Sequence, residues 1–203
     1  VSRNHGDRQA DPPPAGLRDE YDIDAVRGVE IRAETVSRAA GFLGSHRPEA
    51  TVVLIHGGEP SINAFAVRQA AVDVLAHPMR ASGDLNHVLV REAAANDVRL
   101  EFDLSPVLRG AGPDRSRAIR KLRKLAELVD QYEAPFVVSA DARSHLQLRA
   151  PRELIALGDV LGVDADRIET GLREWGRLAT TNRARQGDDF VAPGVTRGHY
   201  ENQ

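Results

Sequence analysis

The sequence contains no cysteine. A disulfide, a thiolate zinc site, an iron–sulfur cluster and a cysteine nucleophile are therefore all excluded. It also lacks any apolar run near the ~20 residues that a membrane-spanning helix requires, and it lacks the basic-then-apolar start of a secretory signal. Together these absences predict a soluble, cytoplasmic chain with no membrane partner. Three phosphate- or nucleophile-presenting signatures are missing as well: the Gly-x-Ser-x-Gly elbow, the Gly-x-x-x-x-Gly-Lys-Thr loop and Gly-x-Gly-x-x-Gly. Serine hydrolase, P-loop and dinucleotide-binding readings thus lack their physical parts. Lysine is almost absent, since Lys121 and Lys124 are the only two among 27 basic residues. Cationic chemistry here is arginine chemistry, and the planar guanidinium fork matches phosphate oxygens two at a time.

What is present describes an ordinary globular chain. The 203 residues suit one domain with one sizeable core, and 41% hydrophobic with 28% charged residues is neither too polar to collapse nor apolar enough for a bilayer. With 27 basic against 30 acidic side chains the net charge is only -3. The overall field is weak, so any nucleic-acid binding must come from local patches.

Short runs rich in β-branched residues predict strands at 29–33, 51–55, 72–76, 98–104 and 136–139. Helical patterns lie between and after them at 61–69, 83–96, 114–132, 151–161 and 165–182. Pro151 suits a first helical turn, Gly162 a C-terminal cap and Asp164 the next N-cap. Alternation of this kind implies right-handed crossovers and a parallel sheet covered by helices. Residues 1–7 read as the end of a strand running into a turn, and 8–22, with Pro12, Pro13 and Pro14, as a loop or weak helix start. The expected domain is 1–185, and 186–203 is expected to be a polar, flexible tail.

Several polar residues fall where such a fold places chemistry. His56, His77 and Asp141 each follow a predicted strand, and the carboxyl ends of parallel strands converge on one face. Glu30 and Glu101 lie inside strands and His5 in the first turn, so a cluster able to hold a divalent metal is geometrically possible. The alternative is that each histidine caps a strand end with a hydrogen bond.

Two regions concentrate positive charge. Between Arg115 and Lys124 no acidic residue occurs, and helical spacing gathers Arg117, Arg120, Lys121 and Lys124 into one stripe opposite Ile119, Leu122, Leu125, Ala126 and Val129. The stripe is a candidate phosphate-binding face or a solvated one. The second region runs from the last strand to the next helix and places Arg143, His145, Arg149 and Arg152 near a helix N-terminus, where backbone N–H groups favour anions. Here the competing reading pairs Arg149 and Arg152 with carboxylates such as Glu153. Because a loop beside a helix start fixes side chains better than an exposed helix does, Arg149 and Arg152 are expected to be the better organised pair.

The run SADARSHLQLRAPRELIALG at 139–158, with DVLAHPMRASGDLNHVLVREAAANDVRLEFDLSPVLR at 73–109, resembles the archaeal ribonuclease P protein component 3 family, relatives of the eukaryotic p30 subunit. The resemblance implies an irregular TIM-like α/β barrel, similar to that of the polymerase and histidinol phosphatase (PHP) metal hydrolases. It implies a subunit of the ribonucleoprotein that removes the 5′ leader of precursor tRNA, in which the RNA subunit carries the chemistry with Mg²⁺ and the protein stabilises the RNA fold. The implied partners are RNase P RNA, precursor tRNA in the holoenzyme, a small ferredoxin-like RNase P protein and other protein subunits. No cofactor or metal is expected on the chain itself, and the eight residues Arg117, Arg120, Lys121, Lys124, Arg143, His145, Arg149 and Arg152 are the expected RNA contacts. The family usually carries one more strand and helix before the stretch matched by residues 1–7, so a barrel short of those elements is expected. The PHP ligand pattern is also broken: its first His-x-His is missing, and Asp141-Ala-Arg143 puts arginine where a ligand histidine would fall. A free-standing PHP-like phosphoesterase using His56, His77 and Asp141 is the alternative.

Overall fold

The computed structural model describes residues 2–5, 17–187, 190–192 and 195–196. Six strands, β1 (Ser2–His5), β2 (Arg27–Ile31), β3 (Val52–His56), β4 (Val74–Ala76), β5 (Arg99–Asp103) and β6 (Phe136–Ser139), pair in sequential order. Every pairing is parallel. Helices intervene as α1 (Leu17–Tyr21), α2 (Val36–His46), α3 (Pro60–Ala66), α4 (His87–Ala95), α5 (Ser105–Arg109), α6 (Gly112–Tyr132), α7 (Pro151–Leu161) and α8 (Ala165–Gln186). Parallel strands in chain order, each returning through helix, are the order of a (β/α) barrel. The molecule is an irregular TIM-like barrel.

Because both faces of a parallel sheet are buried, its strands carry near-continuous apolar runs such as Val52-Val53-Leu54-Ile55. Alternate residues divide between two cores. Val29, Ile31, Val53, Ile55, Leu75, Leu100, Phe102 and Val138 pack under the helical layer that includes Leu43, Val90, Leu125 and Leu154. On the opposite face Val52, Leu54, Val74, Ala76 and Val137 meet Trp175, Leu178 and Ala179 of α8. Earlier in α8, Gly171 lets the helix lie close against β6, because a Cβ there would lie 2.6 Å from Val138 Cγ2 and 2.7 Å from the Phe136 ring. At the amino ends of the strands, buried Asp73 accepts hydrogen bonds from Arg47 (2.6 Å), the Val53 amide (2.7 Å) and Asn182 (2.8 Å), joining α2, β3 and α8.

Several predicted boundaries move. β2 starts at Arg27 and ends at Ile31, and β4 is only Val74–Ala76. β3 shifts by one residue, so His56 belongs to the strand rather than following it. Helix α2 is absent from the sequence pattern, since Gly41 and Gly44 weaken its propensity; burial of Ala39 and Leu43 and an N-cap bond from the Arg38 amide to Thr35 (3.3 Å) hold it. The Gly162 cap is found, with φ +71°, whereas Asp164 accepts no side-chain cap bond. The turn predicted after β1 and most of the proline-rich segment lie outside the described residues. The expected tail is structured where it is described. Gln186 ends α8 and donates to the Ala50 carbonyl (3.1 Å), while β7 (Phe190–Ala192) and β8 (Val195–Thr196) pair antiparallel.

Candidate nucleic-acid interface

At the carboxyl ends of the strands the α8-facing side of the sheet changes from apolar to charged. Glu30, His77, Glu101 and Asp103 are all buried there. Their polar atoms are paired with one another, as burial of charge requires. His56 Nδ1 lies 2.5 Å from Glu30 Oε1, and His77 Nδ1 lies 2.9 Å from Asp103 Oδ2. Glu101 accepts from the His77 amide (2.9 Å) and from the Ser139 hydroxyl (2.7 Å), and Asp103 accepts from the Ser105 amide (2.8 Å). Burial alone would pull the His77 imidazole down in pKa, but its hydrogen bond to Asp103 and the fields of Glu101, Asp103 and Glu30 together raise it. Burial pushes the Asp103 carboxyl up, and the His77 contact with the Ser105 bonds outweighs it and holds the group below its ordinary value. The His77 ring thus sits among three carboxylates.

The histidines and acids named from sequence therefore do come together. Two groups, Glu30 with His56 and His77, and His77 with Asp103 and Asp141, each bring three ligand-type atoms within 4.8 Å of one another, so these residues could hold a cation. His5 is described only through its backbone. Asp103 escapes the sequence reading, although its place two residues beyond Glu101 on the same strand puts both carboxylates on one face.

Above this cluster, the segment between β4 and α4 turns sharply through two non-glycine residues in the left-handed region, His77 (φ +51°) and Ala81 (φ +47°). Such backbone persists only where its surroundings over-determine it. Buried Asn63 donates to the Pro78 carbonyl (2.8 Å) and accepts from the Gly58 amide (3.1 Å), and Ser82 donates to the Gly58 carbonyl (3.2 Å). Gly83 is pressed so close that a Cβ would collide with the Pro78 carbonyl oxygen.

The α6 stripe meets this loop, and that changes its reading. Lys121 Nζ donates to the carbonyls of Met79 (2.9 Å), Ala81 (2.9 Å) and Gly83 (3.2 Å), so it is a structural cation of the loop rather than a free one. Lys124 pairs with Asp84 at 2.6 Å, and Arg117 with Asp114 at 2.8 Å. Arg120 remains exposed, as does Arg80 at the crest of the loop, a residue the sequence reading does not single out. An open cleft of about 700 Å³ lies alongside, lined among others by Arg80, Arg109, Arg117, Lys121 and Arg143.

The second cationic segment is organised differently. Arg143 lies 3.4 Å from Asp141, and its amide donates to the Gln147 side chain (2.9 Å). His145 opens an exposed 3-10 turn, His145–Gln147. Arg149 donates to the carbonyls of Leu146 (3.2 Å) and Leu148 (2.8 Å), its own neighbours. Glu153 does not pair with Arg149 or Arg152; it accepts the Ala150 amide (2.8 Å) at the start of α7. The expectation that this pair is better fixed than the lysines of the α6 stripe is corrected, because Lys121 and Lys124 are held by distant elements and Arg149 only by local backbone. Arg109, unforeseen, ties the segment down by donating to the carbonyls of Ala140 (2.9 Å) and Asp141 (3.0 Å). No helix of the described residues is long and apolar enough to cross a membrane.

Comparison with known proteins agrees with this architecture. The chain is 55% identical over 195 residues to ribonuclease P protein component 3 of Haloarcula marismortui, covering 96% of this chain and 83% of that protein. The same component of Methanosarcina barkeri is 35% identical over 164 residues, covering 80% and 68%. Among solved structures, a chain of the cryo-EM structure of archaeal ribonuclease P with mature tRNA superposes with a TM-score of 0.83 at 24% identity, over 99% of this chain and 90% of that one. The family profile described as RNase P subunit p30 matches residues 2–187. The chain belongs to the RNase P subunit p30 family, protein subunits of an endoribonuclease.

Proposed function

We propose that this protein braces the RNA of ribonuclease P, and that the RNA, with Mg²⁺, carries out removal of the 5′ leader from precursor tRNA. The observation that carries the reading is the contrast within one face. Charges beneath the surface are paired internally, whereas arginines line the open cleft above them. A surface of guanidinium groups over a satisfied interior binds phosphate and does no bond chemistry of its own. The solved structure that this chain resembles contains mature tRNA, which supports RNA partners. Residues 1–185 act as one unit in this reading, in the cytoplasm, beside the small ferredoxin-like protein and the other subunits.

RNA contact is assigned to Arg80, Arg117 and Arg120 on the α6 side and to Arg143, His145, Arg149 and Arg152 on the other. Lys121 and Lys124 support the first group. Reconstitution tests the reading: at moderate Mg²⁺, precursor-tRNA cleavage by the RNA with its protein subunits should fall when this chain is omitted. Equal cleavage without it would overturn the proposal.

The grouping of His56 and His77 with Glu30, and of His77 with Asp103 and Asp141, favours a second reading, a metal-dependent phosphoesterase. Against it, Asp141 faces Arg143 at 3.4 Å, a cation where a further ligand would be needed. The purified chain is expected not to hydrolyse phosphoesters with added divalent metal. Hydrolysis abolished by His56→Ala or His77→Ala would establish the second reading.

A further inference from the structure

We infer that Lys121 is a positioning residue: its ammonium group, held by three carbonyls of the β4–α4 loop, fixes Arg80 at the edge of the cleft where RNA phosphate binds. The inference rests on the RNA-binding reading and assigns Lys121 a role within it other than phosphate contact.

Three observations converge. Lys121 has three N–H donors, and the three carbonyls of Met79, Ala81 and Gly83 engage it at 2.9, 2.9 and 3.2 Å. A phosphate oxygen would have to displace one of them. Those carbonyls come from alternate residues spanning Arg80, so the loop wraps the ammonium and turns the Arg80 side chain outward. Among the described residues Arg80 is bound through its backbone, the amide donating to the His77 carbonyl (3.0 Å) and the carbonyl accepting from Gly83 (2.7 Å). Finally, the loop is strained at His77 and Ala81, and the contacts that oppose that strain come from α3 through Asn63 and from α6 through Lys121. Strain concentrated where a side chain is aimed at a ligand-sized cleft is preorganisation.

The arrangement distinguishes shape from charge. A compact ammonium directs three donors to three carbonyls around a point, and a planar guanidinium cannot. Lys121→Arg therefore keeps the charge and loses the cage. If Lys121 touched phosphate, Lys121→Arg would bind RNA as well as the parent.

The test measures binding of the full chain to its RNase P RNA for Lys121→Arg, Lys121→Met, Arg80→Gln and the Lys121→Met/Arg80→Gln double variant, with amide hydrogen exchange of residues 78–83. Both Lys121 variants should speed exchange in the loop while the sheet stays protected, and both should weaken RNA binding several-fold. The double variant should bind within about twofold of Arg80→Gln, because Lys121 acts through Arg80 and coupled residues are not additive. Parent-like binding by Lys121→Arg, additive losses in the double variant, or unchanged loop exchange would each overturn the inference while leaving the cleft as an RNA surface. If Arg80→Gln binds like the parent and every Lys121 variant does too, the cleft is not the RNA surface and the inference falls with it.

Discussion

The two cationic regions of this protein carry similar charge and are held in opposite ways. On the α6 side the two lysines are fixed by elements far away in sequence, Lys121 by carbonyls of the loop that carries Arg80, some 40 residues earlier, and Lys124 by Asp84, while Arg117 pairs within its own helix. In the segment between β6 and α7, Arg149 bonds to carbonyls one and three residues away, and Arg152 is exposed on the first turn of its helix. Local bonds move with the segment that makes them. Tertiary bonds fix a group relative to the whole sheet, so the helix side presents a shaped surface and the other side an adaptable one. Preorganised groups lose less entropy on binding, and the α6 side should therefore contribute more per cation.

Both surfaces stand on the buried cluster, so the comparison is broken most completely from below. His77→Ala takes from buried Asp103 its imidazole partner and removes the same ring from beside Glu101 and Glu30, and breaking a buried pair in this way costs about 3–5 kcal/mol. Denaturant unfolding should show that loss, with both cationic faces disabled together. A change below about 1 kcal/mol would mean that the carboxylates are stable without the His77 ring.

Next in size is the effect of Arg80→Gln, Arg117→Gln and Arg120→Gln combined. The folded variant should support much slower precursor-tRNA cleavage in the reconstituted enzyme at moderate Mg²⁺. Arg149→Ala with Arg152→Ala should reduce the same cleavage less, and their stability change should stay within about 0.5 kcal/mol, as for exposed residues generally. If the loop pair proves the more damaging in folded protein, local order matters more than tertiary support and the comparison reverses.

The smallest expected effect is on pH dependence. His77 is raised above its ordinary 6.5, so its contribution to stability is complete below that value and is lost as pH rises through the raised one. Asp103 is lowered from 3.8, so its contribution is present above that value and is lost as pH falls through the lowered one. The pair supports the fold between the two. Melting temperature against pH should lose its alkaline decline in His77→Gln if His77 is the group responsible.

Much of the fold is legible because parallel strands buried on both faces announce themselves as short β-branched runs, and Pro151 and Gly162 bracket α7 as their backbone preferences require. Helix α2 is hidden by its glycines, since its stability lies in packing against the sheet rather than in propensity. The site is legible in composition and not in pairing. Counting charges within 115–124 finds no acid, yet Lys124 meets Asp84 and Lys121 meets carbonyls, which no charge pattern records. Arg80 is within reach of sequence reasoning, because residues just beyond parallel strands line the functional face and it lies four residues past β4.

The salt dependence of binding to RNase P RNA, compared between the two sets of arginine variants, tests the central claim most directly. Every phosphate that the protein no longer neutralises should lower the log–log slope by about 0.9 on duplex and about 0.7 on single-stranded RNA. The Arg80, Arg117 and Arg120 variant is predicted to flatten the slope by two to three such steps and the Arg149 and Arg152 variant by fewer. A slope unchanged by the first variant, in protein that melts like the parent, would contradict the assignment of RNA binding to this face.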